Sequence, residues 1–285
     1  MDRNKNYSLG LYEKAIPTGF TFEEMLEITD KCGFDRLEVS IDETDMRLSR
    51  LDWSVAEQHR LLIASKDSGI PIHTICLSGH RKYPFGSHDA AVRERSMDIM
   101  KKAIDFAGET GVKLIQLAGY DVYYEEHDEK TQAFFEENLT AAVEYASKCG
   151  IAMGFETMET PFMDTVKKAM RYVYDNKSAW LGVYPDIGNL QNAAVLYGYD
   201  VVEDLKSGEG HIFAVHLKET VPGKYRDMRF GEGHTRYDDC LAVAAEQKVR
   251  MFTGEFWYQK GQDYLEEISR SAAFLREKLD KAFAG

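Results

Sequence analysis

The chain has 285 residues, a formal net charge of −13 at pH 7 and a pI near 5.1. Hydrophobic residues make up 44% of the chain and charged residues 29%, so it has enough apolar side chains to bury a large core. A chain this acidic gains nothing from counterion release on a nucleic-acid backbone, and anionic membrane surfaces repel it. Nucleic acid and membranes are therefore not expected as partners.

The cysteines and the first residues indicate where the protein works. The four cysteines are widely spaced and form no C-x-x-C pair, which argues against a disulfide framework and against a thiolate zinc site. The first sixteen residues lack the apolar segment of a signal peptide, and no apolar run reaches the length of a membrane span. We expect a cytoplasmic protein with reduced cysteines.

Short apolar runs alternate with longer amphipathic stretches along the whole chain. The runs have strand length and lie near turn residues, whereas the stretches between them have the helical period. In chain order, the predicted strands are 7–12, 36–41, 71–77, 114–120, 152–157, 181–186, 212–219 and 251–257, with helices predicted at 22–32, 55–68, 92–109 and 131–148.

The eight strand–helix units predict one α/β domain over residues 1–285, a (β/α)8 TIM barrel. Several predicted helices end in a glycine shortly before the next strand, as in KCGFDRLEV and DSGIPIHTI, which is typical of a left-handed helix end. An open doubly wound sheet is the structural alternative, but its G-x-G-x-x-G turn after the first strand is absent. The count of eight favours closure into a barrel.

Four polar residues lie where the fifth to eighth predicted strands end, which is where (β/α)8 barrels carry their working residues. They are Glu156, Asp186, His216 and Glu255, spaced by 30, 30 and 39 residues. Burying such groups unpaired would cost several kcal/mol per charge. One divalent ion would remove that cost, and the mixed oxygen and nitrogen ligands suit Mn²⁺, Zn²⁺, Co²⁺ or Mg²⁺. The alternative is four unrelated polar groups with local partners.

Other residues are candidates for substrate contact. His73 and His80 flank the third strand, and either can touch substrate or be an ordinary core or rim histidine. Lys218 follows His216 by two residues, so it lies on the same side of its strand and can hold a substrate oxygen or a phosphate. The glycines of residues 230–233 (FGEG) can offer backbone N–H groups to an anion.

Several segments resemble one enzyme family over nearly the whole chain. The segments are LGLYEKA (9–15), DETDMRLSRLDW (42–53), CLSGHRKYPFGS (76–87), IQLAGYDVYY (115–124), YPDIGNL (184–190), GHIFAVHLKE (210–219) and FGEG (230–233). They resemble the L-xylulose 5-phosphate/L-ribulose 5-phosphate 3-epimerases of L-ascorbate utilisation, within the xylose-isomerase-like barrels. The resemblance implies a metal held by Glu156, Asp186, His216 and Glu255, and barrels of this group commonly form homodimers.

The resemblance also bears on the substrate site. Related ketose 3-epimerases hold the sugar with a glutamate some six residues after the fifth-strand ligand. Here that position is Phe162, with Glu159 nearer, so the binding mode cannot be copied across. His73 and the loop 78–82 (SGHRK), which includes His80, Arg81 and Lys82, fit the family's substrate end. Asn189, within YPDIGNL, is a further candidate for substrate contact.

These features together predict a metal-assisted sugar-phosphate 3-epimerase. A base would remove the C3 proton of a 2-ketose phosphate, and a divalent ion would stabilise the resulting cis-enediolate. We expect Glu156 and Glu255 to act as the acid and base pair on opposite faces of C3, while Asp186 and His216 mainly anchor the ion. Arg81, Lys82 and Lys218 are the candidates for the phosphate.

Three alternatives stay open. An aldose–ketose isomerase of the hexulose-phosphate type would use the same metal but move the proton between C1 and C2. A metal nuclease of the endonuclease-four kind shares the barrel, but it uses several metals and basic DNA-binding loops, which a net charge of −13 disfavours. A catalytically silent sugar-binding barrel is the third, and the presence of both candidate bases argues against it.

Overall fold

Eight parallel strands form the centre of the protein in the computed structural model, which describes residues 5–284. The strands are β1 (Ser8–Tyr12), β2 (Arg36–Ser40), β3 (Thr74–Leu77), β4 (Leu114–Ala118), β5 (Ala152–Glu156), β6 (Leu181–Val183), β7 (Val215–Leu217) and β8 (Met251–Gly254). They pair in the order β6-β5-β4-β3-β2-β1-β8-β7. Parallel bridges join Val183 to Ile212 and Asp186 to His216, and so link β6 to β7. The sheet thus closes on itself, and the predicted TIM barrel is confirmed.

Helices follow the strands and cover the outside of the barrel. They are α1 (Phe22–Lys31), α2 (Asp45–Leu48), α3 (Val55–Ser68), α4 (Ala90–Thr110), α5 (Glu129–Cys149), α6 (Val166–Asn176), α7 (Ile187–Tyr197), α8 (Val201–Lys206), α9 (Tyr237–Glu246) and α10 (Tyr264–Ala282). Gly69 and Gly111 end α3 and α4 with φ angles of +71° and +83°, as the glycine pattern predicts. None of the helices among the described residues combines the length and apolar composition that a membrane crossing requires.

Alternation along β2 shows how the strands divide the interior. Leu37 and Val39 belong to the apolar core between the sheet and the helices. Arg36, Glu38 and Ser40 alternate with them and bond to groups of other strands inside the barrel, because successive strand side chains point to opposite faces. The barrel interior of this protein is therefore partly polar.

The late strands are shorter than the sequence predicts. The predicted runs 181–186, 212–219 and 251–257 each extend beyond the paired residues of β6, β7 and β8. Asp186 caps the N-terminus of α7 and Glu255 directly follows β8, while Glu156 is the last residue of β5. The polar ends of the runs thus leave the ladder at the barrel mouth, where their side chains can meet.

Candidate metal centre

Glu156, Asp186, His216 and Glu255 meet at the C-terminal mouth of the barrel. Each offers one ligand atom, and these four atoms lie within 4.8 Å of one another. All four side chains are buried. The structure therefore brings together the four residues that the strand spacing selects, in a cluster as small as one coordination sphere.

The carboxylate oxygen Oδ2 of Asp186 can accept a further bond within this cluster. Asp186 uses its Oδ1 to accept the backbone N–H of Asn189 at 2.8 Å, as the N-cap of α7. Its Oδ2 is buried and accepts no well-aligned hydrogen bond, although Lys218 Nζ lies 3.1 Å away. A buried carboxylate oxygen in this state is a good ligand for a cation.

His216 is turned so that each ring nitrogen faces a different set of groups. Its Nε2 lies 2.6 Å from Oε1 of Glu38, while its Nδ1 lies 3.4 Å from Glu255 Oε2 and 3.7 Å from Glu156 Oε1. Gln116 Nε2 is also 3.0 Å from Nδ1. A proton on Nε2, donated to Glu38, would leave the Nδ1 lone pair facing the other three ligands, the arrangement found in carboxylate–histidine–metal sites.

The balance of buried charge supports a divalent cation. Four carboxylates lie in this part of the interior, those of Glu38, Glu156, Asp186 and Glu255, and they share two fixed cations, Arg36 and Lys218. Burial lowers the pKa of His216, but the charges of Glu38 and Glu255 outweigh it and hold that pKa well above its usual value, so the ring is protonated in the metal-free protein. An ion would displace this proton, because a metal ligand must be a neutral imidazole, and two negative charges would then be left over. A divalent ion would neutralise them, so the donor set and its charge both fit such an ion.

The carboxyl groups respond differently to this setting. Burial, followed by the charge of Glu255, raises the pKa of Glu156. Burial also tends to raise the pKa of Glu255, but the charges of Lys218 and His216 outweigh it and hold that pKa well below its usual range. Burial raises the pKa of Asp186 against the pull of Lys218. A cation entering the cluster would therefore compete with a proton at Glu156 and Asp186.

Glu38 is the main residue of this site that the sequence analysis did not select. Besides His216, its carboxylate accepts hydrogen bonds from Thr74 Oγ1 and Tyr184 Oη, both at 2.7 Å. The segment RLEVSI could have indicated its position inside the barrel. Arg36 and Glu38 are two residues apart in this apolar strand, so they share the inner face. Glu38 fixes the ring of His216 from below the cluster.

We expect Glu38→Gln to weaken divalent-metal binding by about 10–100-fold. The substitution loosens the hold on His216 and removes one of the four buried negative charges that would attract the ion. Isothermal titration of the metal-free protein measures this directly. Glu246→Gln, which changes an exposed carboxylate on α9, is the control and should bind metal as the parent does. An unchanged affinity in Glu38→Gln would show that Glu38 does not support the ligand.

Four of the predicted substrate residues line the mouth beside the candidate metal ligands, namely Arg81, Glu159, Asn189 and Lys218. Asn189 donates from Nδ2 to the carbonyl of Thr157 at 2.8 Å, and its buried Oδ1 has no hydrogen-bond partner. Glu159 accepts from Tyr123 Oη at 3.0 Å. The free amide oxygen of Asn189 can accept from a hydroxyl group of a bound sugar.

The structure does not bring His73, His80 or Lys82 into the mouth. His73 is exposed and precedes β3, so it lies at the N-terminal end of the barrel, away from the site. His80 is buried with its Nε2 3.2 Å from the carbonyl of Ser96 and its ring 4.5 Å from that of Phe85. Lys82 is exposed. The prediction that these three residues contact the substrate is therefore corrected, because they lie outside the mouth.

His80 is expected to make stability depend on pH. Burial lowers the pKa of His80 from 6.5 to about 4, so the folded state keeps the neutral ring where the unfolded chain binds a proton. The contribution of His80 to the free energy of unfolding is therefore fully present above pH 6.5. It is lost as the pH falls from 6.5 towards 4, at about 1.4 kcal/mol per pH unit and about 3 kcal/mol in all. Urea unfolding of the parent and of His80→Gln between pH 7.5 and 4.5 should show a shallower decline in the variant. Equal declines would contradict this role.

Further residues reach the mouth without having been predicted. Lys14 follows β1 and is held by Asp42, with 2.7 Å between Nζ and Oδ2. Arg226, on the loop after β7, lies with its Cζ 4.9 Å from the ring centroid of Trp257. With Arg81, these residues give the mouth three cationic side chains outside the metal cluster. Arg226 carried no motif signal, because nothing in the loop sequence shows which of its residues folds back over the barrel.

The segments LGLYEKA and DETDMRLSRLDW meet in a buried ion-pair network beside this mouth. Glu13 accepts from Arg50 Nη1 at 2.6 Å and from Arg47 Nε at 3.2 Å, and it also accepts the backbone N–H of Ser40 at 2.8 Å. The network joins the ends of β1 and β2 to α2 and the turn after it. Each of these charged side chains is buried against the others, so removing one would leave a buried charge uncompensated.

Comparison with known proteins places the chain among similar barrels. Residues 22–278 match the family described as xylose isomerase-like TIM barrel. The L-ribulose-5-phosphate 3-epimerase UlaE of Escherichia coli (strain SMS-3-5 / SECEC) is 39% identical over 280 residues, which cover 98% of this chain and 97% of that protein. The putative L-ribulose-5-phosphate 3-epimerase SgbU of Escherichia coli (strain K12) is 42% identical over 285 residues, or 98% of each chain.

A solved structure supports the same fold. The IolI protein, whose crystal structure is described as having a binding zinc atom, superposes with a TM-score of 0.80 at 17% identity, over 98% of this chain and 100% of that one. At this identity the likeness concerns the fold alone.

Proposed function

The chain belongs to the xylose isomerase-like TIM barrel family, and on this premise we propose that it is a metal-dependent isomerase that interconverts L-ribulose 5-phosphate and L-xylulose 5-phosphate. The observation that carries the proposal is the buried cluster of Glu156, Asp186, His216 and Glu255, in a chain 39–42% identical to proteins named for this reaction. The cluster supplies two carboxylates for proton transfer beside a position suited to one cation.

The reaction inverts C3 by exchanging one proton. The C3–H bond breaks as one glutamate accepts the proton, and the other glutamate, already protonated, donates a proton to the opposite face of C3. Glu156 and Glu255 are proposed for these roles, because β5 and β8 are separated by two strands at the mouth and can approach the substrate from two sides. A bound divalent ion would polarise the C2 ketone and offset the negative charge that develops on the sugar.

Asp186, His216 and the remaining polar residues are proposed to bind and orient. Asp186 and His216 would complete the metal site, with zinc, manganese, cobalt and magnesium as candidates. Asn189 Oδ1 and Lys218 would contact sugar oxygens next to the cluster. Lys14, Arg81 and Arg226 would attract the phosphate, since all three lie at the mouth of an otherwise acidic protein.

The experiment is an assay of the purified, metal-loaded protein with L-ribulose 5-phosphate and with L-xylulose 5-phosphate in D2O. We expect each to be converted to the other, with deuterium entering at C3. Deuterium at C1 or C2 with an aldose product would instead show an aldose–ketose isomerase. Absence of both conversions with each candidate metal would overturn the proposal.

Two further properties are proposed with the function. We propose a cytoplasmic location, which the four unpaired cysteines support because a reducing compartment keeps thiols free. We also propose a homodimer, by analogy with barrels of this group. Size-exclusion chromatography with light scattering tests the second, and a mass of 32.5 kDa in solution, that of one chain, would contradict it.

A further inference from the structure

The loop between β7 and α9 is organised around one buried carboxylate. Glu219 lies at the base of this loop and is only 3% exposed. Its Oε2 accepts the backbone N–H of Gly231 at 2.6 Å, and its Oε1 accepts those of Thr235 and Thr220 at 3.1 and 3.2 Å. Three backbone donors thus satisfy one ionised group, and they tie the outgoing and returning parts of the loop together.

The two glycines of the FGEG segment allow this contact. A Cβ atom on Gly233 would lie 2.4 Å from Glu219 Oε1 and 2.2 Å from the carbonyl oxygen of Thr220. Gly231, which donates the shortest of the three bonds, has a φ angle of +86°, a conformation that favours glycine. The segment does bind an anion through a backbone N–H, as its glycines predicted. That anion is a carboxylate of the same chain.

The loop carries groups that reach the barrel mouth. Between Glu219 and Gly231 it forms a tight turn, in which Val221 and Lys224 exchange backbone hydrogen bonds. Tyr225 and Arg226 follow the turn and line the mouth beside Glu156 and Glu255, and Arg226 packs over Trp257. The side chains of residues 221–229 are mostly exposed, whereas Phe230, next to Gly231, packs against Phe256 and Phe274.

We propose that Glu219 is a positioning residue: by binding Gly231 and Thr235 it latches the loop and keeps Arg226 at the mouth. The effect on substrate binding rests on the proposed function, whereas the latch itself does not. Glu219 would not touch the substrate. It would set the affinity for a phosphorylated sugar through Arg226 without taking part in proton transfer.

The test uses Glu219→Gln, which keeps the size of the side chain but turns an NH2 group towards a backbone N–H. Trypsin can cut the loop after Lys224, Arg226 and Arg229, which are all exposed. We expect cleavage at these sites, followed by mass spectrometry, to become at least about tenfold faster, as loss of a charge-assisted hydrogen bond implies. We expect KM for L-ribulose 5-phosphate to rise about tenfold and kcat to change less than about threefold.

Two further variants keep the result interpretable. Glu232→Gln removes an exposed carboxylate from the same loop and should cleave at the parent rate. Gly233→Ala pushes against Glu219 from the backbone and should reproduce the fast cleavage, so the latch can be judged even if Glu219→Gln fails to fold. Parent-like cleavage in Gly233→Ala, or in a folded Glu219→Gln, overturns the latch.

The kinetic and proteolytic results separate the two proposals. Fast cleavage of Glu219→Gln with no epimerase activity in the parent would support the latch and overturn the proposed function. Parent-like cleavage of Glu219→Gln, together with epimerase activity in the parent, would overturn the latch and support the proposed function. Fast cleavage with an unchanged KM would show that the loop does not position a substrate-binding group, and would overturn the positioning role.

Discussion

Glu156→Gln and Glu255→Gln are each expected to lower kcat for 3-epimerisation by about 10³-fold or more, the largest effect that we predict. Each removes one of the two groups that must exchange a proton with C3, and general acid–base catalysis contributes about 10²–10⁴-fold per group. Both residues are also proposed as metal ligands, so part of the loss would come from weaker metal binding. The two substitutions keep side-chain size in a tightly packed cluster, which limits the damage to the fold.

The two variants should differ in which epimer exchanges its C3 proton with solvent. A protein with one remaining base can remove and return a proton on one face of C3, but it cannot deliver a proton to the other face. We therefore expect one variant to exchange the C3 proton of L-ribulose 5-phosphate in D2O, and the other that of L-xylulose 5-phosphate, without inversion. Proton NMR of the recovered sugars measures this.

The control for both variants is Glu246→Gln, which removes an exposed carboxylate of α9 and should keep the kcat of the parent. Metal content is measured on every sample, so that a loss of activity at full metal occupancy can be assigned to proton transfer. If both glutamine variants were metal-loaded and retained near-normal epimerisation, the two-base scheme would be wrong.

A divalent ion is expected to stabilise the folded protein by about 4 kcal/mol when its free concentration is a thousand times its dissociation constant. The physical reason is that the ion would neutralise the two negative charges left over once Glu156, Asp186 and His216 have lost their protons. Since burial raises the pKa of Asp186, a proton competes with the ion there, so the stabilisation should grow as the pH rises. Urea unfolding of the metal-free protein, with and without added Zn²⁺ or Mn²⁺, measures the effect.

Asp186→Asn should abolish most of this stabilisation, because it removes one charge from the cluster and the free carboxylate oxygen that faces it. In the absence of metal, we expect the same variant to lose at most about 1–2 kcal/mol of stability relative to the parent. The loss is small because an amide is cheaper to bury than a charge. Glu246→Gln again serves as the control. If added metal left the unfolding curve of the parent unchanged, the cluster would not be a metal site.

Much of the architecture and the four-residue cluster could be read from the chain alone. Strand-length apolar runs recur eight times, and several of the helices between them end in a glycine. Parallel strands can close only with their C-terminal ends at one mouth. Once the runs were placed, the polar residues at the ends of the last four had to converge. Glu156, Asp186, His216 and Glu255 follow from that rule without any knowledge of side-chain contacts.

Tertiary structure decided which of the other polar residues take part. His80 and Arg81 are neighbours in the sequence, yet one turns into the packing beside Phe85 and the other lines the mouth, because a loop's path sets the direction of each side chain. Glu38 reaches His216 across the barrel, over a separation of 178 residues. Local sequence specifies strands and their ends through backbone geometry and apolar period, whereas contacts across the barrel depend on closure and on the packing of side chains from distant strands.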